Sequence, residues 1–474
     1  MLLEPRFTAG FSVILPWLLV AFMLGGCAGG TAVGRKAPRV TADQSLVSLY
    51  LSTTGVATEK VELTVDGLAL LIGDVWIDLP AEAQRLQRHM LEGRQLLLGV
   101  GAFPVGECRR LRFNVKEVRL PGQAGPEIAE QSIDLPLARP LALSGSGSVC
   151  LFVDWHLQSP LPGEAPFVPR FSAHGQELPL GQDLAYVVCD DINTLYLVRT
   201  DTNFVTAALG LPGPLGELAV DSRRRRLYVL STGDRAIHVF SSANTQYLER
   251  IPLSITVGPR NLCLSADGAF AYVSDPATNR VLKVDLERGV VAAQEIVGFR
   301  PERLHYFVAD GRAWLAVSSP TAQRVYLLNG DSLALLREIP AGLETDSLLF
   351  YNDQLYVAER GSSSVSAFDY RSGRQLSRIT VGWEPVYLLG FDNKVFVSNQ
   401  KDAALSVFHS GQNSTARRIP LDSSPFVMAA SERRRQLYIA HREAHSLSVL
   451  DLSSERLISE IMLGGSPYFM AILE

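Results

Sequence analysis

His441 and His445 stand four residues apart in the run His-Arg-Glu-Ala-His. On a helix that spacing places two imidazoles on one face, where they could hold a metal ion. Here they follow the strand-like triplet Leu437-Tyr438-Ile439, so the expectation is a pair of solvated loop histidines and no metal. A wider set has more to offer: Asp190, Asp191, Asp275, Glu359, Arg360, Trp383, Glu384, Lys401, Asp402, His441 and Arg442. Mixed charges beside a tryptophan suit the binding of a small ligand or peptide at a concave mouth. The plainer reading is that loops carry such residues because they are solvated. Two turns are strongly basic, Arg223-Arg224-Arg225-Arg226 and Arg433-Arg434-Arg435. They would attract anionic head groups or acidic polysaccharide, unless they are simply solvated turns or a contact with another domain. No Gly-x-Ser-x-Gly elbow, phosphate loop or sequence-local pair of carboxylates marks a catalyst.

The elements that must position these residues are repeats. Ala185-Tyr186-Val187, Leu227-Tyr228-Val229, Ala271-Tyr272-Val273, Leu315-Ala316-Val317, Leu355-Tyr356-Val357, Val395-Phe396-Val397 and Leu437-Tyr438-Ile439 are copies of one phrase, 40 to 44 residues apart. A period near 40 built of short strands marks a β-propeller. The copies resemble the YVTN family of seven-bladed propellers, with entrances at Gly258-Pro259, Gly298-Phe299-Arg300-Pro301, Gly382-Trp383-Glu384-Pro385, Ser423-Ser424-Pro425 and Gly465-Ser466-Pro467. That likeness implies that the entrances and the loops after each Tyr-Val strand open on one rim, with the basic turns on the opposite face. The first copy has no innermost strand before it, and the chain ends in Pro467 to Leu473, an innermost strand with no partner after it. The C-terminal strand is therefore expected to complete the first blade and close the ring.

Residues 45–178 precede the repeats. Apolar alternations at Leu46 to Leu51, Val61 to Leu71, Val75 to Leu79, Leu111 to Leu120 and Ser148 to Trp155, broken by Gly, Pro and Asp turns, predict a β-sandwich. Ala81 to Glu92 could hold one short helix. The runs "SLVSLYLS", "KVELTVDGLALLIGDVWIDLP", "LLLGVGAFPVGECRRLRFNVKEVRL" and "CLFVDWHLQSP" resemble the DUF4382 family. Ser52-Thr53-Thr54-Gly55 stands where that family has Thr-Asp-Ala-Pro, and the family implies no activity. The fold class is thus all-β: an N-terminal β-sandwich followed by a seven-bladed β-propeller (184–474) closed by the C-terminal strand.

The first 44 residues supply an address. Phe11 to Met23 is apolar and interrupted by Pro16, short of the roughly 20 residues a membrane span needs. It ends in Leu24-Gly25-Gly26-Cys27, which resembles the lipobox of bacterial lipoproteins. The resemblance implies removal of a signal peptide (1–26), acylation of Cys27 and, because Ala28 follows, an outer-membrane destination. Buried acyl chains contribute about 0.8 kcal/mol per methylene, so two or more would hold the protein at a membrane. Residues 27–44 read as a flexible tether. An exported chain meets an oxidising compartment, where Cys108 and Cys150 could pair or stay as thiols; Cys189 and Cys263 are expected to be buried thiols. There is no CxxC or CxxCH, so no zinc site, c-type haem or other cofactor is expected.

The net charge of −5 in 474 residues disfavours nucleic acid as a partner. The expected function is a membrane-anchored lipoprotein of the outer membrane or cell surface, a non-enzymatic binding or scaffolding platform for an envelope protein, peptide or small ligand. The competing expectation is a propeller enzyme, a lactonase-like hydrolase or redox protein with its site at the channel rim. An assembly factor within a larger envelope complex is a third.

Overall fold

The computed structural model describes residues 38, 40–54, 61–81, 83–87, 91–119, 128–156, 170–178 and 183–474. Cys27, its lipobox and most of the tether lie outside the described residues. All regular elements described are strands, apart from single 3-10 turns such as Arg360–Ser362 and Gln400–Asp402.

Among its described residues the first domain has nine strands: β1 (Gln44–Thr53), β2 (Glu62–Ile72), β3 (Val75–Leu79), β4 (Gln84–Gln87), β5 (Leu96–Pro104), β6 (Gly106–Arg119), β7 (Ile128–Leu143), β8 (Ser148–Trp155) and β9 (Phe171–Gly175). They follow the order β3-β2-β6-β7-β9-β8-β1-β5, with β4 beside β2. Two faces enclose one core that includes Leu49, Leu51, Leu63, Leu70, Phe103, Phe113 and Trp155. One corner is joined by the single β7–β9 pair Leu137–Ala173. At the other corner Leu79 and Pro80 close on β5, where a Cβ at Gly101 would meet Leu79 Cδ1 at 2.9 Å. The predicted sandwich is thus a nearly closed sheet. The helix expected at 81–92 does not occur among the described residues of that segment. Its centre is strand β4, which pairs Glu62 with Gln87 and buries Leu86 in the same core. Cross-strand pairing outweighs the helix propensity of so short a segment.

The propeller has seven blades of four antiparallel strands. In blade 1 the innermost strand is Pro467–Leu473, which pairs with Leu184–Cys189 in the register Leu184↔Leu473. Blades 2 to 7 span 215–252, 261–296, 304–340, 345–380, 385–420 and 428–462. The ring closes as the incomplete end copies predict, and no blade is left with a bare inner edge.

The repeated tyrosine explains the period. Tyr186, Tyr228, Tyr272, Tyr356 and Tyr438 are all fully buried between blades. Tyr186 donates to Ser242 O (3.2 Å) and Tyr272 to Gly330 O (2.6 Å), each in the next blade. Tyr356 pairs with Ser410 Oγ (2.9 Å), and Tyr438 donates to Asn203 Oδ1 (2.6 Å) across the closing seam. The tyrosine is therefore a staple between neighbours as well as core. Blade 4, with Ala316 in that place, is filled from blade 5 by Tyr370, which meets Phe307, Trp314 and Phe350 edge-to-face.

The two domains share a core. Every residue from Ser45 to Leu51 is buried, because β1 faces the first domain on one side and the propeller on the other. Leu46, Tyr50, Cys150 and Phe152 pack with Tyr196, Val198 and Val205 of blade 1 and with Leu447 and Ile461 of blade 7. Ser48 Oγ meets Tyr196 Oη at 2.8 Å, and Tyr50 Oη donates to Met462 O at 3.2 Å. Two glutamines satisfy the outer strand of blade 1: Gln95 brackets Val205 (3.1 and 2.9 Å), and Gln176 does the same for Ala208. Gly210 is required there, since a Cβ would lie 2.4 Å from Ser146 O.

The four described cysteines are free. Cys108 belongs to the core of the first domain and Cys150 to the core shared with the propeller. The bridge considered between them is not formed, because their strands turn the two thiols into different cores.

Candidate functional site

Each blade begins with an entrance loop that packs on the turn after its own second strand. Lys401 N donates to Trp383 O (3.3 Å) and Gly361 N to Leu343 O (3.1 Å), so both loop sets form one rim. The last residue of most second strands is a polar peg for that contact. Ser231 Oγ donates to Pro212 O (2.6 Å), and Asp275 accepts from Val257 N (2.8 Å) and Gly258 N (3.1 Å). Glu359 accepts from Gly342 N (2.8 Å), and Ser319 bonds Phe299 O.

This removes three residues from the expected rim surface, the fully buried Asp275 among them. Glu359 is buried and also takes Ser364 Oγ (2.8 Å). His441 is the final residue of the strand Gln436–His441 and is buried, not a solvated loop histidine. Its Nδ1 meets Ser424 O at 3.1 Å and its Nε2 meets Ser448 Oγ at 2.8 Å. Burial pushes its pKa down, which fits a neutral ring donating from Nδ1 and accepting at Nε2. His445 is the last residue of the turn, with φ of 51°, and no group of three or more potential metal ligands occurs among the described residues.

The other predicted rim residues are at the mouth, mostly as matched charges. Arg360 stands 3.8 Å from Asp346 and 3.5 Å from Glu384, and Lys401 reaches Glu384 at 3.0 Å. Lys401, through that bond, is the main cause holding the Glu384 carboxyl below its usual range. Asp402 accepts from Trp383 N (2.9 Å) and faces Arg418 at 3.6 Å. Arg442 pairs with Asp190 at 2.9 Å, while Asp191 holds Ser466 N at 2.8 Å and so fixes the closing turn.

Below the mouth, the channel holds a buried network. Arg303 bonds Asp346 at 3.0 Å and also binds Glu217, whose second oxygen takes Leu262 N at 2.9 Å. Burial opposes the charge of Arg303, yet Asp346 and Glu217 keep it firmly protonated. A cavity of about 330 Å³ adjoins it, lined mainly by leucines with Cys263, His305, Ser347 and Tyr387. Burial lowers His305 to about 4 and raises Tyr387 to about 12, so both are neutral near pH 7. Burial also raises the Cys263 thiol. Sequence reasoning missed this network, because Glu217, Arg303 and Asp346 come from three blades and share no motif.

A second feature was visible in the sequence only at Trp383. The same loop position carries Phe299, Leu343 and Trp383 in blades 4, 5 and 6, and these are 53%, 50% and 68% exposed. The entrance of blade 3 is longer and exposes Ile255 (41%) and Val257 (66%). The matching positions in blades 7, 1 and 2 are Ser423, Gly465 and Gly213. An apolar arc therefore covers blades 3 to 6 and stops there.

The basic turns on the opposite face are largely neutralised. Arg224 pairs with Asp221 (3.2 Å), Arg226 with Glu249 (2.9 Å) and Arg435 with Asp392 (2.9 Å). Arg433 and Arg434 share Asp183 at 3.2 and 3.3 Å. Only Arg223 and Arg225 have no ion pair among the described residues, which favours the plainer reading of these turns.

No protein-family model matches the chain, and no curated protein matches it. Among solved structures, it is similar to a functionally unknown protein from Desulfotomaculum acetoxidans, with a TM-score of 0.54, 13% identity and coverage of 62% of this chain and 99% of that one. A dihydro-heme d1 dehydrogenase matches at a TM-score of 0.48 and 15% identity, over 65% of this chain and 67% of its own. Kuenenia stuttgartiensis hydrazine synthase matches at 0.47 and 18%, over 55% and 90%. At such identities the likeness concerns the propeller fold alone.

Proposed function

We propose that this protein is an envelope lipoprotein, anchored through Cys27, whose propeller rim docks another protein chain and performs no chemistry itself. One observation carries the docking reading: five large apolar side chains, Ile255, Val257, Phe299, Leu343 and Trp383, stand exposed on neighbouring entrance loops. A contiguous exposed apolar patch rimmed by charge is characteristic of an interaction surface. The channel side chains weigh against the enzymatic alternative. Glu217, Arg303 and Asp346 are committed to one another, Cys263 is held as a thiol, and His305 has no orienting partner among the described residues. The DUF4382-like and YVTN-like motifs and the lipobox support placement at the outer membrane or cell surface.

The test is site-specific photo-crosslinking in intact cells. A crosslinker at Trp383 or Phe299 should capture a discrete protein product, and one at exposed Leu457 on the outer strand of blade 7 should not. Equal labelling at all three positions would count against a rim-specific partner. Trp383→Ala should weaken capture, since a central aromatic anchor contributes about 2 kcal/mol or more. Labelled palmitate should enter the wild type and be absent from Cys27→Ser; labelling of that variant would remove the anchor.

A further inference from the structure

We propose that the cavity beside the apolar arc, at the mouth of the channel, receives a single carboxylate of the docked chain. The proposal rests on the docking reading above and adds the chemistry of the partner: an apolar segment carrying one acidic group.

The cavity encloses about 280 Å³ and is walled by Thr232, Gly258, Arg260, Pro276, Ala277, Arg300 and Glu302. Two of its walls continue into the arc, because Val257 adjoins Gly258 and Phe299 adjoins Arg300. Its donors are mostly spoken for. Thr232 Oγ1 donates to Pro259 O (2.6 Å), and Gly258 N donates to Asp275 (3.1 Å). What remains are two guanidinium groups and one carboxylate, with Arg300 and Glu302 3.9 Å apart. Counted over the lining side chains, one positive charge is left over, while Asp275 behind that wall is taken up by backbone N–H groups and Thr278.

That charge belongs to Arg260. It forms no ion pair among the described residues, and its guanidinium stands over the Tyr468 ring, 5.8 Å from the centroid. Arg442 stands over the same ring at 5.2 Å but is already neutralised by Asp190. The other mouth cations are matched as well, Arg303 by Glu217 and Asp346, and Arg360 and Lys401 by Glu384. A site with one uncompensated guanidinium, pinned against an aromatic ring, is preorganised for a two-pronged bond to one carboxylate. Apolar neighbours of that carboxylate would then lie along Val257, Phe299, Leu343 and Trp383.

The probe is a random octapeptide library, displayed once as free C-terminal acids and once as C-terminal amides, on the full-length protein in detergent. Enriched peptides should carry one carboxylate, of Asp, Glu or the C-terminus, among apolar residues, and conversion of that acid to its amide should cost about tenfold or more in affinity. If the free-acid library alone enriches, the carboxylate is a chain terminus; if both do, it is a side chain. Arg260→Gln should bring acid and amide to parity, and Arg260→Lys should restore part of the preference. Arg260 is exposed, so matching melting curves establish that the variants fold. Enrichment with no acid preference, or a preference that survives in Arg260→Gln, overturns the carboxylate site and leaves docking intact. Binding that ignores Phe299→Ala with Trp383→Ala overturns the docking reading instead. No enrichment in either library overturns both.

Discussion

At the scale of single residues, the decisive fact is how many charges are committed. Arg303 is enclosed between Glu217 and Asp346, so Arg303→Ala would strand the buried Glu217 carboxylate and leave Asp346 only Arg360 at 3.8 Å. Its expected cost is about 3–5 kcal/mol, read from chemical denaturation, whereas Lys401→Ala on the exposed rim should cost less than about 1 kcal/mol. The histidines give stability a pH dependence. His305, His441 and His238 all have pKa values pushed down by burial, His305 to about 4. An unfolded histidine titrates near 6.5, so between that pH and about 4 the unfolded chain binds protons that the folded one refuses. The stability these rings confer is complete above about pH 6.5 and lost as pH falls. His174 works the other way, because its hydrogen bond to Asp154 raises it. Melting temperature should therefore drop from pH 6.5 to 4.5, less steeply in His305→Asn; an unchanged slope would mean that His305 protonates freely in the folded protein. Residue types alone misassigned three positions. Asp275, Glu359 and His441 look like rim chemistry, yet they end inward-turned strands, and the same residue types serve equally as pegs.

At the scale of the element, the blades were legible because burial imposes a period. Each Tyr-Val strand lies between two neighbours and is apolar on both faces, so seven copies stand out from their turns. The closing strand was legible for the same reason, as an inner strand without a partner. Removal of residues 466–474 should leave Leu184–Cys189 with a bare edge and abolish cooperative unfolding of the ring; a truncated protein that melts like the intact one would disprove the closure. The staples were not legible, since a hydroxyl says nothing about which carbonyl it meets. Tyr272→Phe strands Gly330 O between blades 3 and 4 and should cost about 1–3 kcal/mol. Tyr228→Phe should cost less, because the Tyr228 hydroxyl has no acceptor across its junction among the described residues. The helix expected at 81–92 failed where pairing to β2 prevailed.

At the scale of the whole molecule, the sequence suggested two domains in a row, and the structure joins them through one core. The clue lay in Ser45 to Leu51, whose serines at 45 and 48 are buried along with the apolar residues: a strand covered on both faces need not alternate. With Tyr50, Phe152 and Tyr196 in that core, the domains should unfold in one calorimetric transition. Gly210→Val forces a side chain against Ser146 O and should split the transition in two. A single transition in that variant would show that the first domain is not held at this contact.

The Tyr50–Met462 bond spans 412 positions of the chain. A polypeptide made from its N-terminus completes β1 early, but the face carrying Leu46, Tyr50 and Phe152 gains its full cover only when the last blade and closing strand have been synthesised. Throughout that interval a sticky half-surface waits for its other half. Such delayed pairing makes folding slow and the nascent chain prone to self-association. The two halves of the shared core therefore meet only after blade 7 and the strand Pro467–Leu473 have been made.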